Sequence, residues 1–200
     1  MTSSDPTGRH IPAWVDTVAP EDATGLLKEA YDWQAARLGE PTEYTQLGSL
    51  HPELVFERLR LYQVVDNLES GLTETEKNVI IYVTSVLNET PHCASGARQR
   101  LAALGVPAEL VDALRDDPHH PDTGDPRLDA IVTYTAVLTS SPGSVTETHI
   151  ERLRAHGLSD ADIVAANNLS AYFSYTNRVA TGLGLRTEIP DRHAHGAAPR

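Results

Sequence analysis

The sequence predicts an all-α fold of about eight helices in a single domain. Apolar residues recur with the period of a helix in stretch after stretch. Residues that start and stop helices stand at the ends of these stretches. No two alternating segments are joined by a tight turn that would predict a β-hairpin. We therefore expect a bundle in which apolar stripes are buried helix against helix.

Each predicted helix is bounded by local end signals. Prolines at the first helical position, side chains that cap free N–H groups and glycines after the last turn mark these ends. In chain order, helices are predicted near 22–38, from Pro52 to before Gly71, from Thr73 to Leu87, from Pro91 to Gly105, from Pro107 to Leu114, from Pro126 to Leu138, from Thr146 to Gly157 and over 160–181.

The third of these helices competes with a strand. Its apolar stretch, VIIYVTSVL at 79–87, is rich in β-branched residues and fits a strand on propensity alone. The Thr73-x-x-Glu76 spacing before it forms a capping box, in which each side chain bonds the backbone N–H of the other residue. The capping box and the length of the stretch favour a buried helix.

The two ends of the chain lack a lasting helical period. We expect an extended segment at 1–20, a helical domain at 21–187 and a flexible tail at 188–200. The formal net charge of −12 disfavours nucleic-acid binding, because an acidic surface repels phosphate groups. No apolar run is long enough to cross a bilayer and no secretory signal is evident, so a cytoplasmic protein without a membrane partner is expected.

Residues 72–97, LTETEKNVIIYVTSVLNETPHCASGA, resemble the core of the AhpD-like and peroxidase-related proteins of the carboxymuconolactone decarboxylase superfamily. The closing stretch at 145–185 and the segment at 47–62 extend the resemblance over roughly residues 20–187. It implies an AhpD-like helical bundle that forms a homo-oligomer.

The sequence departs from the redox motif of that family. The family has Cys-x-x-Cys-x-x-x-His, with a relay Glu twelve residues before the first Cys. Those four positions fall here on Thr90, Cys93, Ala97 and Asn78, so three of the four redox groups are lost. Because no second cysteine exists to resolve a sulfenic acid, two-Cys peroxidase activity is excluded.

Cys93 is the only cysteine, which also excludes an intramolecular disulfide and a multi-Cys zinc site. If Thr90 is the N-cap and Pro91 the first helical residue, the thiol lies in the first helical turn. The unpaired N–H groups there favour negative charge, which predicts a lowered thiol pKa. A buried thiol that only fills space is equally open.

Six further residues are candidates for the same site, by the family-like pattern and by their place near Cys93. Tyr82, four residues after Asn78 and on the same helical face, is a possible acid, although core packing is the more common role. Tyr172 and Asn177 belong to the family-like closing helix, where packing or a structural polar contact is also open. The candidate catalytic residues are Cys93, His92 and Tyr82, and the candidate substrate-binding residues are Asn78, Thr90, Tyr172 and Asn177.

The leading hypothesis is a repurposed AhpD-like enzyme that acts on a small organic metabolite without a cofactor. Decarboxylation, isomerisation and cyclisation all stay open. The alternatives are a one-Cys hydroperoxide reductase that uses an external thiol, and a non-catalytic small-molecule-binding or scaffold protein. The loop at 116–126 carries His119 and His120 among aspartates, but it has no frame to hold ligands in place, so no metal site is expected.

Overall fold

All regular structure in residues 10–189, the part of the chain that the computed structural model describes, is helical. The all-α prediction is confirmed. The nine α-helices of this part are α1 (Gly25–Leu38), α2 (Glu43–Gln46), α3 (Pro52–Asp66), α4 (Glu74–Leu87), α5 (Pro91–Ala103), α6 (Ala108–Asp116), α7 (Pro126–Ser140), α8 (Glu147–Ala155) and α9 (Asp160–Gly182). None of them combines the length and the apolar character that crossing a bilayer requires.

The predicted end signals act as expected at most helix starts. Thr73 and Glu76 form the capping box of α4, and the Asp125 side chain accepts the Arg127 N–H at the start of α7. At α9 the pattern is reciprocal: Ser159 N donates to the Asp162 carboxylate at 2.8 Å and Asp162 N donates to Ser159 Oγ at 3.2 Å. Local capping chemistry therefore decides where these helices begin.

Helix α2 was not predicted, because four residues are too few to reveal a helical period. Thr42 caps it by accepting the Thr45 N–H at 3.2 Å. Residues 10–19 contain no α-helix, and the predicted bounds of the N-terminal segment stay a prediction. The rest of that predicted segment, 1–9, and most of the predicted tail, 190–200, lie outside the described residues.

Chain contacts group into two compact units, which α9 joins in sequence. Within the described residues, the first unit comprises 10–68 and 178–186. One of its apolar clusters forms where α1 packs on α3, and consists of Ala23, Leu27, Ala30, Tyr31 and Val55. Another cluster consists of Ile11, Ala13, Leu47, Ala180 and Leu185.

The second unit comprises residues 69–177 and 187–189 of the described chain and is built around α4. Residues 79–83 of α4 are all buried, whichever way they point. Helices α5 and α7 pack against it. A helix that is apolar on every side is a core helix, which explains why this β-branched stretch is helical despite its strand propensity.

Candidate functional site

The α4–α5 hairpin positions Cys93 in the first turn of α5. Thr90 is the N-cap residue and Pro91 opens the helix, as predicted. The Thr90 hydroxyl does not cap the helix; it donates to the Asn88 carbonyl at 3.1 Å, while Thr90 N donates to the Ser85 carbonyl at 2.9 Å. Thr90 is itself buried. It therefore holds the hairpin turn closed.

Cys93 is 8 % exposed, and burial raises the pKa of its thiol from an ordinary 9.0 to about 12. The positive charge of Arg100 lowers this pKa, but by less than burial raises it. The predicted lowering of the Cys93 pKa by the helix start is therefore wrong. The free energy needed to remove the thiolate from water is larger than the stabilisation that the helix start and the nearby cation give to it. At neutral pH Cys93 is a protonated thiol.

Arg100 acts on Cys93 through its charge and is hydrogen-bonded to Asn78. The Arg100 Nε donates to Asn78 Oδ1 at 2.7 Å, and the Asn78 amide donates to the Glu74 carbonyl at 2.8 Å. Both polar atoms of the buried Asn78 are thus used, and the amide holds the guanidinium in place. Arg100 was not predicted, although its position seven residues after Cys93, on the same face of α5, is a readable signal.

His92 is buried, and its Nδ1 donates to the Thr187 carbonyl at 3.2 Å. Burial lowers its pKa, and the bond to Thr187 opposes this effect. A neutral His92 that donates to a backbone carbonyl is thereby fixed as the Nδ1–H tautomer. Its known partner is the C-terminal segment of the described chain, and its role beside Cys93 stays a prediction.

Tyr82 is buried on α4, where its hydroxyl is hydrogen-bonded to Arg98. Burial raises the Tyr82 pKa, and the Arg98 hydrogen bond only partly offsets this. Arg98 in turn pairs with Asp112 at 2.7 Å. The structure therefore directs Tyr82 into a polar network between α4, α5 and α6, which makes it a weaker acid than a free tyrosine.

The two candidates on α9 have contacts of their own. Asn177 is fully buried; its Oδ1 accepts from Ser85 Oγ at 3.3 Å and its amide donates to the Thr84 carbonyl at 3.3 Å. The Tyr172 ring packs edge-to-face on Phe173, with ring centroids 5.6 Å apart. Asn177 thus ties α9 to α4. A substrate contact by either residue stays a prediction.

A surface groove and an acidic loop lie apart from the predicted site residues. An open groove on the first unit is lined by Leu26, Leu50, His51, Pro52, Glu53 and Leu54, none of which is a predicted site residue. In the loop after α6, the exposed His120 pairs with Asp117, at 3.0 Å. Between residues 10 and 189, no group of three or more His, Cys, Asp or Glu side chains is arranged to hold a metal ion.

No protein-family model and no curated protein matches the sequence. Solved structures do match. An alkylhydroperoxidase AhpD core, an uncharacterized peroxidase-related protein from Ralstonia eutropha JMP134, aligns with a TM-score of 0.78 over 88 % of this chain and 93 % of that chain, at 19 % identity. The chain has the AhpD-like fold.

Two further structures share the AhpD-like fold. An uncharacterized peroxidase-related protein from Silicibacter sp. TM1040 aligns with a TM-score of 0.77 and 22 % identity, over 94 % of this chain and 98 % of that chain. The debrominase Bmp8, in complex with 2,3,4-tribromopyrrole, aligns with a TM-score of 0.72 and 16 % identity, over 89 % and 92 % of the two chains. At these identities the likeness establishes the fold, and the role of each site residue stays a prediction.

Proposed function

We propose that the chain is a repurposed AhpD-like enzyme that acts on a small organic anion at a site formed by Asn78, Cys93 and Arg100. One observation carries the proposal: a guanidinium fixed through its Nε on an uncharged amide, next to a protonated thiol. Two-Cys peroxidase chemistry has no second cysteine to use.

Arg100 is suited to bind a carboxylate. Its Nε is occupied by Asn78, and within residues 10–189 no carboxylate pairs with its charge. The two terminal nitrogens of a guanidinium match the two oxygens of a carboxylate, a pairing that fixes orientation as well as position. A substrate held this way would lie beside Cys93, since the Arg100 charge acts on the thiol.

Cys93 holds a proton at neutral pH, although burial makes it a weaker acid than a free thiol. A thiol that stays protonated at neutral pH can donate its proton to a carbon atom that gains an electron pair when the substrate loses carbon dioxide or a proton. The thiolate then recovers a proton from water. This role fits the decarboxylation or isomerisation hypothesis and requires no cofactor.

The solved structures support a small organic ligand. The debrominase with this fold was crystallised with 2,3,4-tribromopyrrole as a cysteine-to-alanine variant. The AhpD-like fold can therefore accommodate a small aromatic ring. We combine that ring with the carboxylate that Arg100 favours, and choose pyrrole-2-carboxylate as the probe.

Thermal unfolding with the probe tests the binding step. Pyrrole-2-carboxylate is expected to raise the Tm of the parent chain, because a ligand that binds only the folded state stabilises it. Arg100→Gln should abolish the rise, whereas Arg154→Gln should keep it; Arg154 is an arginine of α8 paired with Asp160. The uncharged pyrrole-2-carboxamide should give no rise. A rise that persists in Arg100→Gln would disprove the role of Arg100.

The same material separates the alternatives. A one-Cys hydroperoxide reductase needs a thiolate, which the raised Cys93 pKa withholds at neutral pH. We therefore expect no labelling of Cys93 by a sulfenic-acid trap after peroxide treatment. A non-catalytic binding protein would bind the probe and other carboxylates without forming any product detectable by mass spectrometry.

An exposed apolar stripe supports the proposed homo-oligomer. Leu54, Leu61 and Val64 of α3 lie on one side of a helical projection and are exposed, and so is Leu50 in the turn before α3. Contiguous exposed apolar side chains commonly mark a protein–protein contact. Leu61→Lys should lower the molar mass measured by light scattering, whereas Leu104→Lys, an exposed leucine elsewhere, should not. An unchanged mass in Leu61→Lys would argue against this face.

A further inference from the structure

The last three described residues, Thr187–Ile189, lie along α5; we name them the strap. Hydrogen bonds from three residues of α5 hold the strap to the helix: His92 Nδ1 to the Thr187 carbonyl at 3.2 Å, Ile189 N to Ser95 Oγ at 2.8 Å, and Gln99 Nε2 to the Ile189 carbonyl at 2.7 Å. All three use backbone groups of the strap and side chains of α5. Successive turns of one helix therefore bind it.

Gly96 makes room for the strap. A Cβ atom at Gly96 would lie 2.8 Å from Ile189 Cδ1 and 4.0 Å from Ile189 Cγ1. A glycine inside a helix costs roughly 1 kcal/mol relative to alanine. Gly96 has an ordinary helical backbone, so no turn requires it. The close approach of Ile189 is what a side chain here would disturb.

Cys93 and Arg100 lie nearly one above the other along α5 and so define a line parallel to the helix axis. The strap runs beside this line. Successive helical residues are rotated by about 100°, so Gly96 lies close to Cys93 around the helix, and His92, Ser95 and Gln99 lie further round on the same side. The fully buried Ala97 and Leu101 lie on the other side of that line, where α5 packs on α4. In this projection Cys93 lies between the face of α5 that packs on α4 and the face that binds the strap.

We propose that the strap is a detachable cover of the buried Cys93, and that its release from α5 admits the substrate, held by the exposed Arg100, to the thiol. The bonds given above between the strap and α5 run through side chains of α5, so opening does not require any helix to unfold. Local opening of a short segment at the end of an element costs less free energy than unfolding of the whole domain. This inference rests on the proposed function only for the identity of the substrate. Whether the strap covers Cys93 is tested without substrate.

The rate of Cys93 alkylation by iodoacetamide, at one fixed alkaline pH, measures how often the thiol is uncovered. The double variant Ser95→Ala/Gln99→Ala removes two of the strap's hydrogen bonds, and the alanine introduced at each position favours a helix. The matched control is Ser140→Ala/Gln63→Ala, in which the Ser140 hydroxyl donates only to its own helix at Ala136. We expect alkylation of the first variant to be roughly tenfold faster, as two lost hydrogen bonds of ordinary strength allow.

Low concentrations of urea distinguish the possible causes. Local opening exposes little surface, so a faster rate that is insensitive to urea supports the cover. A faster rate that rises with urea as steeply as global unfolding would overturn the proposal, and so would a rate equal to that of the control. Gly96→Ala gives a second measurement, in a variant whose new residue favours the helix. Its methyl group should displace Ile189 and so speed alkylation of Cys93. An alkylation rate at or below that of the parent chain would also overturn the proposal.

Failure of the cover and failure of the proposed function are separable. An unchanged alkylation rate with intact, Arg100-dependent binding of pyrrole-2-carboxylate would remove the strap alone. A faster rate without binding of the carboxylate would keep the strap and remove the assigned substrate class.

Discussion

Two places along α4 receive an arginine from a neighbouring helix in nearly the same geometry. Near its N-terminus, Glu76 accepts the Nε of Arg127 at 2.6 Å. Two residues later, Asn78 accepts the Nε of Arg100 at 2.7 Å. Both α4 side chains are buried. The two pairs differ in one respect: Glu76 carries a charge and Asn78 does not.

That difference decides what each arginine can do. Glu76 neutralises Arg127, which also donates to the Gly157 carbonyl at 2.9 Å, and the same carboxylate bonds Thr73 N at 2.7 Å. This pair has its charges matched, and Nε and Nη1 of Arg127 are both hydrogen-bonded, as expected of a structural contact. Asn78 positions Arg100 without neutralising it. Arg100 therefore keeps a positive charge that can act on Cys93 and on an anionic ligand.

Removal of the structural member should have the largest effect. Glu76→Ala breaks the capping box and leaves the Arg127 charge without its partner, so we expect the free energy of unfolding to fall by about 3 kcal/mol. Urea unfolding measures this. Glu74→Ala is the control, since the Glu74 side chain is exposed to solvent and its pair with Lys77 should contribute about 0.5 kcal/mol or less. Equal losses in the two variants would contradict the comparison.

The thiol beside Arg100 should make stability depend on alkaline pH. The Cys93 pKa is about 12 in the folded chain and near 9.0 when the thiol is free in water. Between these values the unfolded chain loses the proton and the folded chain keeps it, so this contribution to stability is full below pH 9.0 and is lost as pH rises toward about 12.

Cys93→Ser isolates this contribution, because serine has a similar shape and does not ionise in that range. The urea midpoint of the parent chain should fall more steeply between neutral and alkaline pH than that of the variant. The titration of tyrosines and lysines is common to both and cancels. Parallel pH profiles would show that the folded thiol is not protected from ionisation.

Conversion of one pair into the other should abolish the binding difference. Asn78→Asp gives Arg100 a carboxylate, as Arg127 already has, so we expect pyrrole-2-carboxylate to bind roughly tenfold more weakly. The pH profile of Cys93 alkylation should move to higher pH, because a negative charge disfavours the thiolate. Calorimetric titration measures the first effect. Binding as tight as in the parent chain would mean that the free charge of Arg100 is unimportant.

The smallest effect should come from a pair that is exposed on both sides. His120 hydrogen-bonds Asp117 in the loop before α7, and this bond lowers the Asp117 pKa. Solvent screens such pairs, so His120→Ala should leave the Tm unchanged within error. The same variant tests the loop for metal binding. Added zinc should shift neither the Tm of the parent chain nor that of His120→Ala. A large loss of stability would place this loop among the structural contacts.

The helices could be predicted from the sequence because their end signals act over a few residues. The capping box at Thr73, the proline of α5 and the glycine after α1 each satisfy or replace backbone groups within their own turn. Asn78, Thr90 and Cys93 were brought to one hairpin for the same reason, since α4 and α5 adjoin in sequence. Helix α2 escaped prediction because it is shorter than the pattern needed to see it.

The chemistry of the site depended on distances that no local pattern contains. The pKa of Cys93 follows from how completely the folded chain excludes water from the sulfur, and its direction reversed the prediction. The strap joins residues far apart in sequence, so its bonds to α5 could not be predicted from either segment. The sequence by itself determined the helices, and it predicted the loss of the redox groups. Only the tertiary structure decided which charge stands free, which proton is retained and what covers the thiol, because burial and long-range pairing exist only in the packed chain.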